Sequence, residues 1–242
     1  MKILSVECSA IPASVAVYDT EQSKLLSEYY QNVGLTHSET LMPILESALE
    51  SAGVLIDDID CFAIAAGPGS FTGVRIGIST IKGLAAKNDT NTKGLSTLHS
   101  MAYNVLGFKG IIASVMDARR SQCYCALFKT DGQSIERITE DAAISLEELN
   151  GIINEKVSEL NCAAIVLGDG AELYYSLFGG SDNRVLLAPP NVRYQRASSV
   201  ALLASEELKS QTFSSARDLM PIYLRLPQAE RELNSRINQK HE

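Results

Sequence analysis

The order of candidate strands and helices in this chain runs twice, and that repeat limits the folds open to it more than any other feature. Three strand-like runs come first, Lys2–Glu7, Ser14–Asp19 and Leu25–Gln31, with short loops that predict an antiparallel meander. A helix follows from Thr36, where Thr36 and Glu39 have capping-box spacing. Leu41, Leu45, Ala48, Leu49 and Ala52 hold one face of it at helical period. Pro43 is expected to bend that helix and Gly53 to cap it. Next come an apolar strand, Cys61–Ala66, a glycine-rich turn, Gly67–Gly73, and a second helix from Val74 to Ala86. A third helix is predicted over Leu98–Leu106. The order then restarts with strands Gly110–Met116, Gln122–Lys129 and Ile135–Thr139 and a helix, Leu146–Leu160. A strand (Ala163–Leu167), a short helix (Ala171–Phe178), a strand (Val185–Leu187) and a helix (Ser198–Lys209) complete the second unit. Two successive βββαβα units predict a duplicated α/β fold, divided into residues 1–105 and 106–242.

With 242 residues, 45% of them hydrophobic, the chain can bury a full core without disulfides or metals. Its apolar runs, such as Ile111–Met116, stay far below the roughly 20 residues that span a membrane. The opening MKILSVE reaches an acid too early for a secretory signal. Five cysteines without a CxxC pair fit a reduced, cytosolic protein, and Cys123 and Cys125 alternate so as to face one side of a strand. A net charge of −8 speaks against a free-standing nucleic-acid binder. The excess acid lies before residue 213. Residues 213–242 hold 5 basic side chains against 4 acidic ones, with Arg225, Arg231, Arg236 and Lys240 in or beside a charged amphipathic stretch from Pro227.

Each unit opens with a strand that ends in an acid, Glu7 or Asp117, followed by a hairpin. Actin-like and sugar-kinase-like ATPases place such acids beside nucleotide phosphates. Here Ile11 and Pro12 occupy the first loop, and proline offers no N–H to a phosphate. The run Gly67-Pro68-Gly69-Ser70-Phe71-Thr72-Gly73 lies between a strand and a helix, the position of an anion site. It is neither a Walker A motif nor GxGxxG, and its residues equally suit a tight turn under close packing. Arg75 stands at the start of a helix, where the dipole opposes a cation, so it is expected to pair with a carboxylate or a partner. Arg119 and Arg120 follow Asp117 in the same way. Histidines occur only at 37, 99 and 241, none spaced with a cysteine pair, and His37 is followed one helical turn on by Leu41. A nucleophilic Ser or Cys would therefore find histidine nearly absent as its base.

The segment GPGSFTGVRIG at 67–77 resembles the signature of the bacterial TsaB (YeaZ) family. MDARRSQCYCALF at 116–128, GDGA at 168–171 and PIYLRLPQAE at 221–230 are similar to later segments of that family in the same order. The resemblance spans nearly the whole chain. It implies two ribonuclease-H-like α/β subdomains of the actin-like ATPase superfamily. It also implies a cytoplasmic, non-catalytic partner of a TsaD-like subunit, working with a TsaE-like ATPase. The reaction implied is threonylcarbamoylation of the adenosine next to the anticodon in tRNAs that read codons beginning with A. The chain would meet tRNA only through the complex and would form a homodimer when alone. No cofactor, metal or catalytic residue is expected. The implied pairing surface is the helices at 36–52 and 70–86, with His37, Leu41, Leu45, Leu49, Arg75, Gly77, Ile78 and Ile81 as its residues. Gly77, Ser79 and Gly83 are small enough to admit another helix. The family's first strand usually ends in Asp-Thr, where this chain has Glu7-Cys8, which further weakens a phosphate role. Two other readings stay open: an ATP-binding kinase or ATPase of the same fold, and the metallopeptidase that the family's glycoprotease label suggests.

Overall fold

A computed structural model of the protein describes residues 1–119, 121–179, 183–209 and 213–225. The first half is built on β1 (Lys2–Glu7), β2 (Ala13–Asp19) and β3 (Lys24–Gln31), an antiparallel meander. Helix α1 (His37–Ala52), β4 (Cys61–Gly67), α2 (Phe71–Ala85) and β5 (Asn91–Ser96) follow. The sheet order is β3-β2-β1-β4-β5, with β4 parallel to β1 and β5 to β4. Helix α3 (Thr97–Ala102) leads into the second half. There β6 (Gly110–Asp117), β7 (Gln122–Thr130), β8 (Ile135–Arg137) and β9 (Ala142–Ser145) precede α4 (Leu146–Glu159). The chain continues through β10 (Ala164–Leu167), α5 (Ala171–Phe178), β11 (Val185–Leu187), α6 (Pro190–Arg193) and α7 (Ala197–Leu208). The six-stranded second sheet runs β8-β7-β6-β10-β11, with β9 also pairing with β7; apart from β9 it repeats the third-second-first-fourth-fifth order of the first. Both halves are thus ribonuclease-H-like, and together they form the actin-like ATPase fold.

Three elements were not anticipated from the sequence: β5, β9 and α6. Helix α2 begins at Phe71 rather than Val74, because Ser70 caps it and its Oγ accepts from the Gly73 amide at 3.3 Å. The third helix stops at Ala102 and passes into a 3-10 turn, Tyr103–Val105. Helix α1 runs from His37 to Ala52 with Pro43 on its exposed side.

Strands β1 and β4 are buried along almost their whole length because the first sheet is covered on both faces. On one face of the first sheet, Leu4, Val6, Phe62 and Ile64 pack against Leu41, Leu45, Val74, Ile78 and Ile81 of α1 and α2. The other face, with Ile3, Cys61, Ala63 and Leu95, is covered by Val200, Ala201, Leu203 and Ala204 of α7. The second sheet mirrors this, with α4 and α5 on one face and Leu98, Met101 and Ala102 of α3 on the other. Each half therefore lends its last helix to the other half's sheet. The segment 213–225 also returns to the first half. Thr92 and Ser214 exchange backbone bonds at 2.9 and 3.0 Å, Leu219 is buried, and the Ile222 amide donates to the Ala66 carbonyl at 2.7 Å. The division at 105/106 separates the strands but not the cores.

Candidate functional site

The glycine-rich turn is filled by the chain itself. Gly67, at φ 120°, ends β4, and a Cβ there would lie 2.3 Å from the Ile222 carbonyl oxygen. A Cβ on Gly69 would lie 2.3 Å from the Ser9 carbonyl oxygen, and one on Gly73 2.1 Å from that of Cys8. Backbone meets backbone at all three positions, so only glycine fits. The Ser70 amide donates to the Ser9 carbonyl at 2.6 Å, and the Gly73 amide to the Ser70 hydroxyl. Two of the amide donors at the start of α2, those of Ser70 and Gly73, thus face the chain's own oxygens. Of the two readings of this turn, close packing is the one the geometry bears out.

Beside the turn, α1 and α2 frame a shallow groove of about 400 Å³, floored by Leu41 and rimmed by His37, Met42, Arg75, Ile76 and Thr80. His37 opens α1, and its Nε2 lies 2.8 Å from the Ala10 carbonyl oxygen. Its ring also closes on Gly73, where a Cβ would come within 2.8 Å of Cδ2. His37 therefore pins the Cys8–Pro12 loop to the helix pair. Arg75 does not find the expected carboxylate among the described residues. Its guanidinium lies 3.7 Å from the Phe71 ring centroid, and its Nε donates to the Tyr223 hydroxyl at 2.8 Å. Tyr223 in turn stacks on Phe71 at 5.0 Å, so the returning segment supplies what Arg75 needs.

Several residues assigned to a pairing surface face inward instead. Leu45 is 2% exposed, Ile78 5% and Ile81 0%, all in the core against β1 and β4. Leu41, 1% exposed, reaches the surface only as the groove floor, and Leu49 is half-buried against the same core. Gly77 accommodates Cys8 and Ile64, since a Cβ there would lie 2.4 Å from Sγ and 2.7 Å from Cδ1. The helical period found the apolar face correctly, but the sheet covers that face. Gly83 looks into open space. The side of the pair turned to the groove presents exposed Met42, Arg75 and Ser79 and half-buried Ile76, of which Arg75 and Ser79 were anticipated. Met42, an apolar residue off the α1 stripe, was the legible signal.

Where the halves meet, the acid ends of β1, β6 and β10 converge. Glu7 is 1% exposed and accepts both the amide N–H and the hydroxyl of Ser9 at Oε1, each at 2.6 Å. Burial, then the nearby charge of Asp169, push Glu7 from 4.5 up to about 7 against those bonds. Asp169 is raised as well, chiefly by burial, while Gln195 Nε2 donates to its Oδ1 at 2.9 Å. Asp117 is exposed and accepts the Arg119 amide at 2.7 Å within the β6–β7 hairpin. Arg225 closes that hairpin, donating to the Ala118 carbonyl at 3.2 Å and to Gln122 Oε1. His99 stacks on Phe128 at 5.1 Å and is pushed down to about 4, first by burial. Cys123 and Cys125 both face the second core. Arg120, Arg231, Arg236, Lys240 and His241 lie outside the described residues.

The family model described as TsaD, tRNA N6-adenosine threonylcarbamoyltransferase, matches residues 31–233. The tRNA threonylcarbamoyladenosine biosynthesis protein TsaB of Bacillus subtilis is 28% identical over 231 residues, covering 95% of this chain and 96% of that protein. TsaB of Escherichia coli is 26% identical over 227 residues, covering 93% and 95%. The solved structure of YeaZ from Pseudomonas aeruginosa superposes with a TM-score of 0.74 at 22% identity, over 92% of this chain and 99% of that one. With its motifs, its duplicated fold and its near full-length similarity in agreement, the chain belongs to the TsaD-like family, in its TsaB (YeaZ) branch.

Proposed function

We propose that this chain is a non-catalytic partner subunit in tRNA threonylcarbamoyladenosine biosynthesis. Its α1–α2 face pairs with a TsaD-like subunit, a TsaE-like ATPase acts alongside, and tRNA is met through the complex. Membership of the TsaB branch supports the pathway, since relatives matching nearly end to end carry that role in their names. The observation that carries the non-catalytic role is the glycine turn, where the Ser9 and Ile222 carbonyls stand where an anion would need donors. That packing disfavours the ATPase reading. The metallopeptidase reading wants a pair of histidines on one helix face, and here His37 is bound to the Ala10 carbonyl with Leu41 one turn on. Alone, the same face is suited to a two-fold contact between copies.

Reconstitution with TsaD-like and TsaE-like subunits and a tRNA substrate tests the role. Modification should depend on this chain, and equal modification without it would overturn the proposal. Calorimetric titration with MgATP should give no dissociation constant in the low micromolar range, about −8 kcal/mol. The pairing face is tested by Met42→Glu, a change at a residue 40% exposed, which should leave the fold intact and abolish activation. By contrast, Leu45→Glu should unfold the chain, because it buries an unpaired carboxylate.

A further inference from the structure

Arg75 is a cation held in place with no anion beside it among the described residues. It follows Phe71 by one turn of α2, and its guanidinium lies 3.7 Å from that ring's centroid. Its Nε donates to the Tyr223 hydroxyl at 2.8 Å. Tyr223 is itself fixed twice. Its ring stacks on Phe71 at 5.0 Å, and the preceding Ile222 amide is tied to the Ala66 carbonyl of β4 at 2.7 Å. The returning segment is held to α2 once more where Lys82 Nζ donates to the Arg217 carbonyl at 3.2 Å. One face of the guanidinium and its Nε are thus engaged, while Nη1 and Nη2 have no acceptor among the described residues.

The same Arg75 is exposed at the rim of the α1–α2 groove, whose lining holds Leu41, Met42 and Ile76 but no Asp or Glu. Acidic side chains outnumber basic ones in this chain by 29 to 21, yet the one cation at the groove is stacked on a ring rather than paired with a carboxylate. A planar fork whose position is already set can take both oxygens of a carboxylate with little further loss of side-chain freedom. Apolar neighbours that exclude water strengthen such a contact.

We propose that Arg75 is a preset receptor for a carboxylate on the docking face of the TsaD-like subunit, an Asp or Glu set among apolar side chains that cover Met42 and Ile76, and that Tyr223 is its positioning residue. The inference rests on the pairing role proposed above and goes beyond it by naming the group that is recognised.

The test measures, by calorimetry at low and high salt, the affinity of the full-length chain for the TsaD-like subunit. Wild type, Arg75→Gln, Arg75→Lys, Tyr223→Phe and Met42→Glu are compared, with circular dichroism to check each fold. Arg75→Gln should weaken pairing about 30-fold and flatten its salt dependence. Arg75→Lys should still lose about tenfold, because an ammonium does not grip both oxygens. Tyr223→Phe keeps the ring and removes only the hydroxyl. It should cost about threefold, and the Arg75 Nε–H signal in the NMR spectrum of the isolated chain should lose its protection from exchange with water. Met42→Glu separates this inference from the reading beneath it. If Met42→Glu abolishes pairing while Arg75→Gln binds like the wild type, the pairing face stands and the receptor falls; if neither variant changes pairing, both fall. Full rescue by Arg75→Lys would overturn the receptor too, since a point charge would then suffice, as would weakened self-association of Arg75→Gln with pairing untouched.

Discussion

Glu7 and Asp117 hold the same place in the two halves, at the end of the first strand of a sheet with the same strand order, yet one is buried and the other exposed. The difference lies in the hairpins that follow. Cys8–Pro12 folds inward, with Ala10 in the core against Leu98 and Met116, and with the starts of α1 and α2 resting on its carbonyls. After β6, Arg119 and Ser121 are exposed, the exposed Asp117 caps its own hairpin at the Arg119 amide, and Arg225 donates to the Ala118 carbonyl. Topology decides where the acid stands. The packing of the loop behind it decides whether water reaches it, and so where it titrates.

The largest effects should come from the turns that both halves close with backbone. In Gly168→Ala the new Cβ would lie 2.0 Å from the Val115 carbonyl oxygen at a φ of 108°, and in Gly69→Ala 2.3 Å from that of Ser9. Each should cost about 3 kcal/mol or more, read as a shift in the urea midpoint. A silent Gly69→Ala would mean that the first turn has slack the second lacks, and the case against an anion site there would collapse.

Next in size is the pH response of the two acids. Folded Glu7 keeps its proton up to about pH 7, while the unfolded group loses it near 4.5. Between those values the folded state holds the extra proton, so stability falls as pH rises and the loss is complete above pH 7. The drop should be about 3 kcal/mol, should vanish in Glu7→Gln, and should survive in Asp117→Asn. Thermal unfolding from pH 4.5 to 8 reads this directly, and a flat wild-type profile would erase the contrast between the halves.

Smaller again is Tyr223→Ala, which removes the ring stacked on Phe71 and the hydroxyl held by Arg75. A loss of about 1–2 kcal/mol is expected, with α2 and the segment 213–225 losing protection before the second half does. Smallest is Gly83→Ala, an exposed helix position open to solvent, which should gain about 0.5–1 kcal/mol. If that variant gains stability yet loses partner binding, the partner comes close at Gly83, and the pairing face extends further along α2 than the groove.

Local chemistry carried much of the fold. The β-strand runs, the helix starting after Thr36, with Glu39 reaching back to the Thr36 amide at 3.3 Å, and the twofold order of elements follow from residues within a few positions of one another. So did the acid at the end of each first strand. Strand β5 escaped because Asn91–Ser96 has no apolar run. It is a strand because β4 lies on one side and Ser214, over a hundred residues away, bonds its other edge. The exchange of α3 and α7 between sheets was equally hidden, since an amphipathic helix shows which face must be covered but not by what. The same gap separated Leu45 from Met42. Periodicity says that one side of α1 is apolar, whereas the β1–β4 surface decides that Leu45 belongs to this chain's own core and leaves Met42 at the exposed groove. Hydrogen-bond and rotamer preferences act over about one helical turn and are written in the sequence; the cover for each face comes from contacts across the length of the chain, which only the closed tertiary structure fixes.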